Sequence, residues 1–73
     1  MESSDRELIL KVSKSNAALR RLWQDHQRFE HELREFKFRA WLTPTEEQRE
    51  KQLKFDKREG VKRMMSMIEH LQP

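Results

Sequence analysis

The sequence predicts an all-α fold, an antiparallel helical hairpin of two long helices joined along a heptad-like seam. Three observations predict it. Apolar residues recur in alternating steps of four and three, a strong helix-start signal stands near mid-chain, and the composition is rich in charge and poor in Gly and Pro. A spacing of 3.5 residues is that of a seam against another helix and not the alternation of a strand.

The first helix is expected over about residues 4–41. Ser4-Asp-Arg-Glu7 has the form of a capping box, a hydroxyl followed three residues later by a carboxylate. The seam then runs Leu8, Val12, Ser15, Leu19, Leu22, His26, Phe29, Leu33, Phe36, Ala40. Ser15 and His26 are its polar positions, and a polar group in such a seam can set register at a cost in stability. Ser15-Asn16 could cap a fresh helix, giving a break near residues 15–17. Continuity is the alternative, because Ala17-Ala18 favours helix.

Thr43-Pro-Thr-Glu46 is the second start signal, with Thr at the N-cap, Pro at the first helical position and Glu at the third. The turn is expected at about 42–43, and the second helix at about 44–70. So short a connection makes the two helices antiparallel neighbours. Leu53, Lys57, Gly60, Met64, Met67 and Leu71 continue the spacing, while Val61, Met65 and Ile68 widen the stripe. Gly60 in mid-helix costs roughly 1 kcal/mol relative to Ala, a cost that is either simply tolerated or offset by close approach of a neighbour. Six Glu residues stand four positions before a Lys or Arg, at Glu7–Lys11, Glu30–Arg34, Glu35–Arg39, Glu47–Lys51, Glu50–Lys54 and Glu59–Arg63.

Size and composition bound what such a chain can do. Its 73 residues make a single domain, 1–73, too small for a thick core. There is no Cys, so disulfides and thiolate zinc sites are excluded. Regular packing and self-association remain as sources of stability. Charged residues are 40% of the chain, but 16 basic against 13 acidic side chains leave a net charge of only +3. That balance argues against a disordered polyelectrolyte or a dedicated nucleic-acid tail. No apolar run approaches the ~20 residues that span a bilayer, and no signal-peptide core is seen. A cytoplasmic location is the expectation.

The run Leu8-Ile9, Asn16, Leu19, Leu22, His26, Phe29-Glu30, Glu32-Leu33 resembles the first half of the YdcH-like family of small bacterial helical proteins, a domain of unknown function. Leu42-Thr43-Pro44 with Glu46-Glu47 looks like the turn of one subgroup, and Leu53-Lys54, Lys57, Gly60 and Arg63-Met64 look like its basic second helix. Ala17 stands where the family often has Pro, Arg58 where Leu is usual and Lys62 where Asp is usual. The resemblance implies a bacterial cytoplasmic helical protein. It implies no activity.

No constellation points to an enzyme. His26–Glu30 and His31–Glu35 have the spacing of two ligands on one helix face, but Glu and His so placed are common on solvated helices, and His31-Glu-Leu-Arg-Glu35 lacks the second His of the zinc-protease pattern. For His26 a half-buried seam residue is the favoured reading, with pH-sensitive packing as a corollary. Ser13, Ser15 and Ser66 have no arranged base, and one Gly cannot build a phosphate loop. No cofactor or metal is expected.

Interaction is the function class left. Trp23 flanks the seam, Phe38 and Trp41 step off it near the turn, and Met64, Met65 and Met67 form an adaptable apolar end. Two helices cannot cover apolar groups on several faces, so these six are the candidate partner interface. A homodimer, making a four-helix bundle, or another protein would cover them. Two opposing readings stand beside this: the Met residues pack on Leu8, Val12 and Leu19 within the hairpin, and Trp41 curls onto Phe55. The alternative function is nucleic-acid or anionic-surface binding by a basic stripe of Lys51, Lys54, Arg58 and Lys62, with Lys57 and Arg63 beside it, although the first helix shows no matching basic groove.

Overall fold

A hairpin of two long helices was expected; the described residues form three helices. The computed structural model describes residues 3–71, so the one-domain reading of 1–73 extends beyond them at both ends. Helix α1 spans Ser3–Ser13, α2 spans Ala17–Lys37 and α3 spans Pro44–Leu71. The first long helix of the hairpin is thus two helices. The break falls at Lys14–Asn16, close to the 15–17 expected for it, and the helix is not continuous there.

Asn16 causes the break. Its backbone is extended (φ −132°, ψ 105°), and its side-chain oxygen accepts from the Leu19 N–H at 2.9 Å. An Asn oxygen that satisfies an orphan donor at a helix start competes with a continuous helix, and two alanines downstream do not outweigh it. The other side of the break is closed by Arg20. Its Nε donates to the Ser13 carbonyl and its Nη2 to the Lys14 carbonyl, both at 3.1 Å. One guanidinium therefore caps the carbonyl end of α1 from the first turns of α2.

Ser15 is corrected by the same feature. It lies exposed in the turn, with its N–H and its hydroxyl on the Val12 carbonyl, and is not a seam position. The buried hydroxyl is that of Ser13, which donates to the Leu10 carbonyl. The break also shifts the buried face of α1 by one residue, so Ile9 is buried while Leu8 and Val12 are half-buried. The expected capping role of Ser4 does not appear, because α1 already includes Ser3.

α2 ends at Lys37, four residues before the expected boundary, and residues 38–43 form the link. Phe38 is the C-cap, its N–H directed at the carbonyls of Glu35 and Phe36. Thr43 precedes a proline, which disfavours helical backbone at that residue. From Thr43 the capping box forms as expected. The Glu46 N–H donates to Thr43 Oγ1 at 3.1 Å, and the Thr43 N–H donates to Glu46 Oε1 at 3.0 Å.

α2 and α3 pack antiparallel. Glu32 meets Arg49 at 3.0 Å near the link, while Leu19 packs with Met64 and Ile68 at the far end. The buried positions of α2 are Leu19, His26 and Leu33, one heptad apart. They face Leu53, Met64 and Ile68 of α3. α1 folds back over the far end, where Ile9 joins Leu19, Met64 and Ile68 in one cluster. The result is an elongated body of 47 × 19 × 17 Å, three helices thick at one end and two at the other. α3, at ~1.5 Å per residue, runs nearly its whole length.

Candidate functional site

Three surfaces bear on function: the aromatic link, the buried histidine and the groove between α2 and α3.

The six residues expected at a partner interface separate. Met64 is fully buried in the core, packed among Ile9, Leu19 and Ile68, which removes it from any surface. Met65 and Met67 are half-buried against the same cluster. Helix α1 covers part of this end, while Leu10 and Leu71 stay exposed at 41% and 51%. Trp23 is half-buried as well. The Arg6 guanidinium of α1 lies 5.5 Å above its ring, and the His26 imidazole stacks on it at 5.5 Å with planes 22° apart. Phe38 and Trp41 remain outside, 89% and 70% exposed. Trp41 does not curl under the tip with Phe55; Phe55 is itself half exposed and lies beneath the Arg58 guanidinium at 5.8 Å. The six-residue link holds both tip rings away from either helix face.

The tip is not loosely attached. Arg39 grips Glu46 with both terminal nitrogens, Nη1 to Oε2 at 2.7 Å and Nη2 to Oε1 at 3.2 Å. Glu46 is the capping-box carboxylate, so the Thr43 N–H and Arg39 both draw on it. The backbone hydrogen bond from Thr43 is the chief cause that holds its pKa below the ordinary 4.5, and Arg39 adds to it.

His26 is 3% exposed. Its Nε2–H donates to the half-buried Glu30 one turn on. Its Nδ1 has no hydrogen-bond partner among the described residues. Burial is the largest influence and lowers the imidazole pKa from 6.5; Glu30 opposes it, and Lys57 across the seam adds to the lowering. A neutral ring has a single N–H, which Glu30 accepts, and leaves only the Nδ1 lone pair unanswered, whereas a protonated ring would bury a second, unsatisfied N–H together with a charge. His31 pairs with Glu35 at 3.2 Å on an exposed face, and His70 Nδ1 approaches the Ser66 carbonyl at 2.7 Å. Among the described residues no three His, Cys, Asp or Glu side chains cluster as metal ligands. Nor is any helix long and apolar enough to cross a membrane.

The basic stripe is redistributed. A groove of about 710 Å³ between α2 and α3 collects Lys54, Lys57, Arg58 and Lys62 from α3 together with Arg34 and Lys37 from α2. Glu30 and Glu50 also line it, and Leu33 and Val61 are its apolar residues. Lys51 is exposed outside it, and Arg63 lines the opposite groove with Phe29, Phe55, Asp25, Asp56 and Glu59. The expectation that the first long helix offers no matching basic wall is overturned by Arg34 and Lys37. The antiparallel register, with Glu32 opposite Arg49, puts the end of α2 beside the first turns of α3, so these two cations extend the basic lining toward the link.

Of the six expected i,i+4 ion pairs, three exchange partners. Glu50–Lys54 is present at 3.8 Å, but Glu30 is taken by His26, Glu35 by His31, Glu59 by Lys62 and Arg39 by Glu46. Among the described residues, Arg34, Lys37, Lys57 and Arg58 thus have no carboxylate within ion-pair distance.

Comparisons with protein-family models, with curated proteins and with solved structures return no match for this chain.

Proposed function

We propose that the protein is a non-enzymatic interaction or assembly module that acts through an apolar helix-end surface, with the Phe38–Trp41 tip as its contact. The exposure of these two aromatic rings on a pinned link supports the reading. Large aromatics are the residues that dominate contact energies when a partner buries them, and a rigid support reduces the ordering cost of binding. Two antiparallel helices ending in such a tip suit a second copy, giving a symmetric dimer in which four helices meet. Met65 and Met67, half-buried, are at most peripheral to such a contact. The YdcH-like resemblance and a cytoplasmic setting belong to the same proposal and add no activity to it.

Light scattering from low- to high-micromolar concentration tests it, with Trp41 emission followed in the same samples. The expected result is a dimer mass in the wild type, a blue shift of Trp41 emission on association, and a monomer for Phe38→Ser/Trp41→Ser. A wild type that stays monomeric with water-exposed Trp41 throughout would overturn self-association at the tip. A second reading, nucleic-acid or anionic-surface binding by the basic face, draws on the six cations gathered in the groove. Salt-dependent DNA or RNA binding by the isolated protein would carry it.

A further inference from the structure

We propose that the α2–α3 groove is the docking site for an acidic amphipathic helix of a protein partner, at a place separate from the aromatic tip. Charge comes first. Six cations and two carboxylates line the groove, and four of those cations have no carboxylate within ion-pair distance among the described residues. An anionic occupant would fill what the chain leaves unanswered.

The arrangement selects the kind of anion. Arg34 and Lys37 stand on the α2 wall, and Lys54, Arg58 and Lys62 repeat every four residues on the α3 wall. Leu33, only 9% exposed, and the half-buried Val61 form the apolar floor beneath them. A helix with an apolar stripe flanked by Asp and Glu presents the complementary pattern, apolar anchors at i, i+4 and i+7 and a carboxylate row on each side. The distance from Lys54 to Lys62 is about 12 Å along α3, a little over two helical turns. One feature disfavours a nucleic acid: among the described residues no aromatic ring lines the groove to stack on a base.

The test is fluorescence polarisation of a synthetic acidic helix against the full chain. The probe has about 14 residues, with Leu at three- and four-residue spacing and Glu on both flanks. The proposal expects saturable binding that weakens with salt. A probe with every Leu replaced by Ser, at the same charge, should bind about tenfold or more weakly. Arg34→Glu/Lys54→Glu, one change on each wall, should lose about tenfold or more. Lys14→Glu/Lys51→Glu makes the same change in net charge at exposed positions outside the groove and should lose far less. Circular dichroism checks that each variant is helical. Phe38→Ser/Trp41→Ser should leave peptide binding unchanged, so failure at the tip and failure at the groove are read separately.

Equal binding of the Leu and Ser probes would show a plain polyanion site and overturn the proposal. So would equal losses in the two charge-reversed variants, or a single-stranded DNA 20-mer that binds as tightly as the acidic helix. Absence of saturable binding up to about 1 mM, a free energy of only about −4 kcal/mol, would overturn it too.

Discussion

Arg39 and Glu46 hold the two ends of the 38–43 link together with a two-pronged ion pair, and the same carboxylate closes the capping box with Thr43. Each contact raises the value of the other, because the fork fixes the carboxylate where the Thr43 N–H needs it. The pKa of Glu46 is depressed, so the sign is the usual one for a carboxylate. Its contribution to stability is present above the ordinary value of 4.5 and is lost as pH falls through the lower folded value. In an NMR titration, Glu46 should therefore protonate below 4.5, and Arg39→Met should move its midpoint up. An unshifted midpoint in that variant would show that Arg39 does not hold the carboxylate. Thr43→Ala, which removes the hydroxyl acceptor, should cost about 1 kcal/mol in chemical denaturation.

The break between α1 and α2 is held by two side chains with separate tasks, and a pair of variants separates them. Asn16→Ala deletes the acceptor of the Leu19 N–H and should cost about 1 kcal/mol. Arg20→Met keeps the aliphatic stem but removes the donors that cap Ser13 and Lys14. Amide exchange should then speed up across α1 while the middle of α3 stays protected, since α1 touches the body chiefly through the Ile9 cluster. Uniform loss of protection in both helices would mean that α1 and the α2–α3 pair unfold as one unit.

Gly60 faces open space. A methyl group built at its Cα meets no atom within 4 Å, and its φ is not positive. Close approach of a neighbour is therefore not its purpose within the chain. Gly60→Ala should raise stability by roughly 0.5–1 kcal/mol, through helix propensity and lower unfolded-state entropy. Urea denaturation measures this directly. A destabilised variant would show that something else, such as a second molecule, comes close to α3 at that point.

What the sequence made legible follows from how local each cause is. The start of α3 was readable to the residue, because Thr43, Pro44 and Glu46 interact within one turn. The buried heptad of Leu19, His26 and Leu33 was readable because period is a property of the chain. Whether Asn16 would outweigh Ala17-Ala18 was not, since the outcome also depends on Arg20 reaching back over seven residues to Ser13. The fate of the Met residues depended on a third helix covering them. Arg34 and Lys37 became groove residues only once α2 and α3 were laid side by side. Charge pairs were the least legible part, because exposed Glu residues have several partners of nearly equal, small energy within reach.

His26 makes the chain's packing answer to pH. The groups around it are Trp23 stacked on one face, Glu30 on Nε2 and Lys57 from α3, with Arg6 of α1 above the Trp23 ring. Its folded pKa is lowered from 6.5, chiefly by burial, so the unfolded chain binds the proton more readily. Stability is then full above about 6.5 and declines as pH falls below that value, the reverse of a histidine held by a salt bridge. Urea denaturation at pH 8 and at pH 5 should show the wild type less stable at pH 5. In His26→Leu, most of that difference should disappear, because the group that must take up a proton is gone. Glu30 remains half-buried in that variant and loses its partner, which tempers any gain at pH 8. Measuring Glu30→Gln alongside separates the two effects: without the carboxylate that opposes burial, the His26 pKa should fall further. An equal pH dependence in wild type and His26→Leu would place the acid sensitivity elsewhere in the chain.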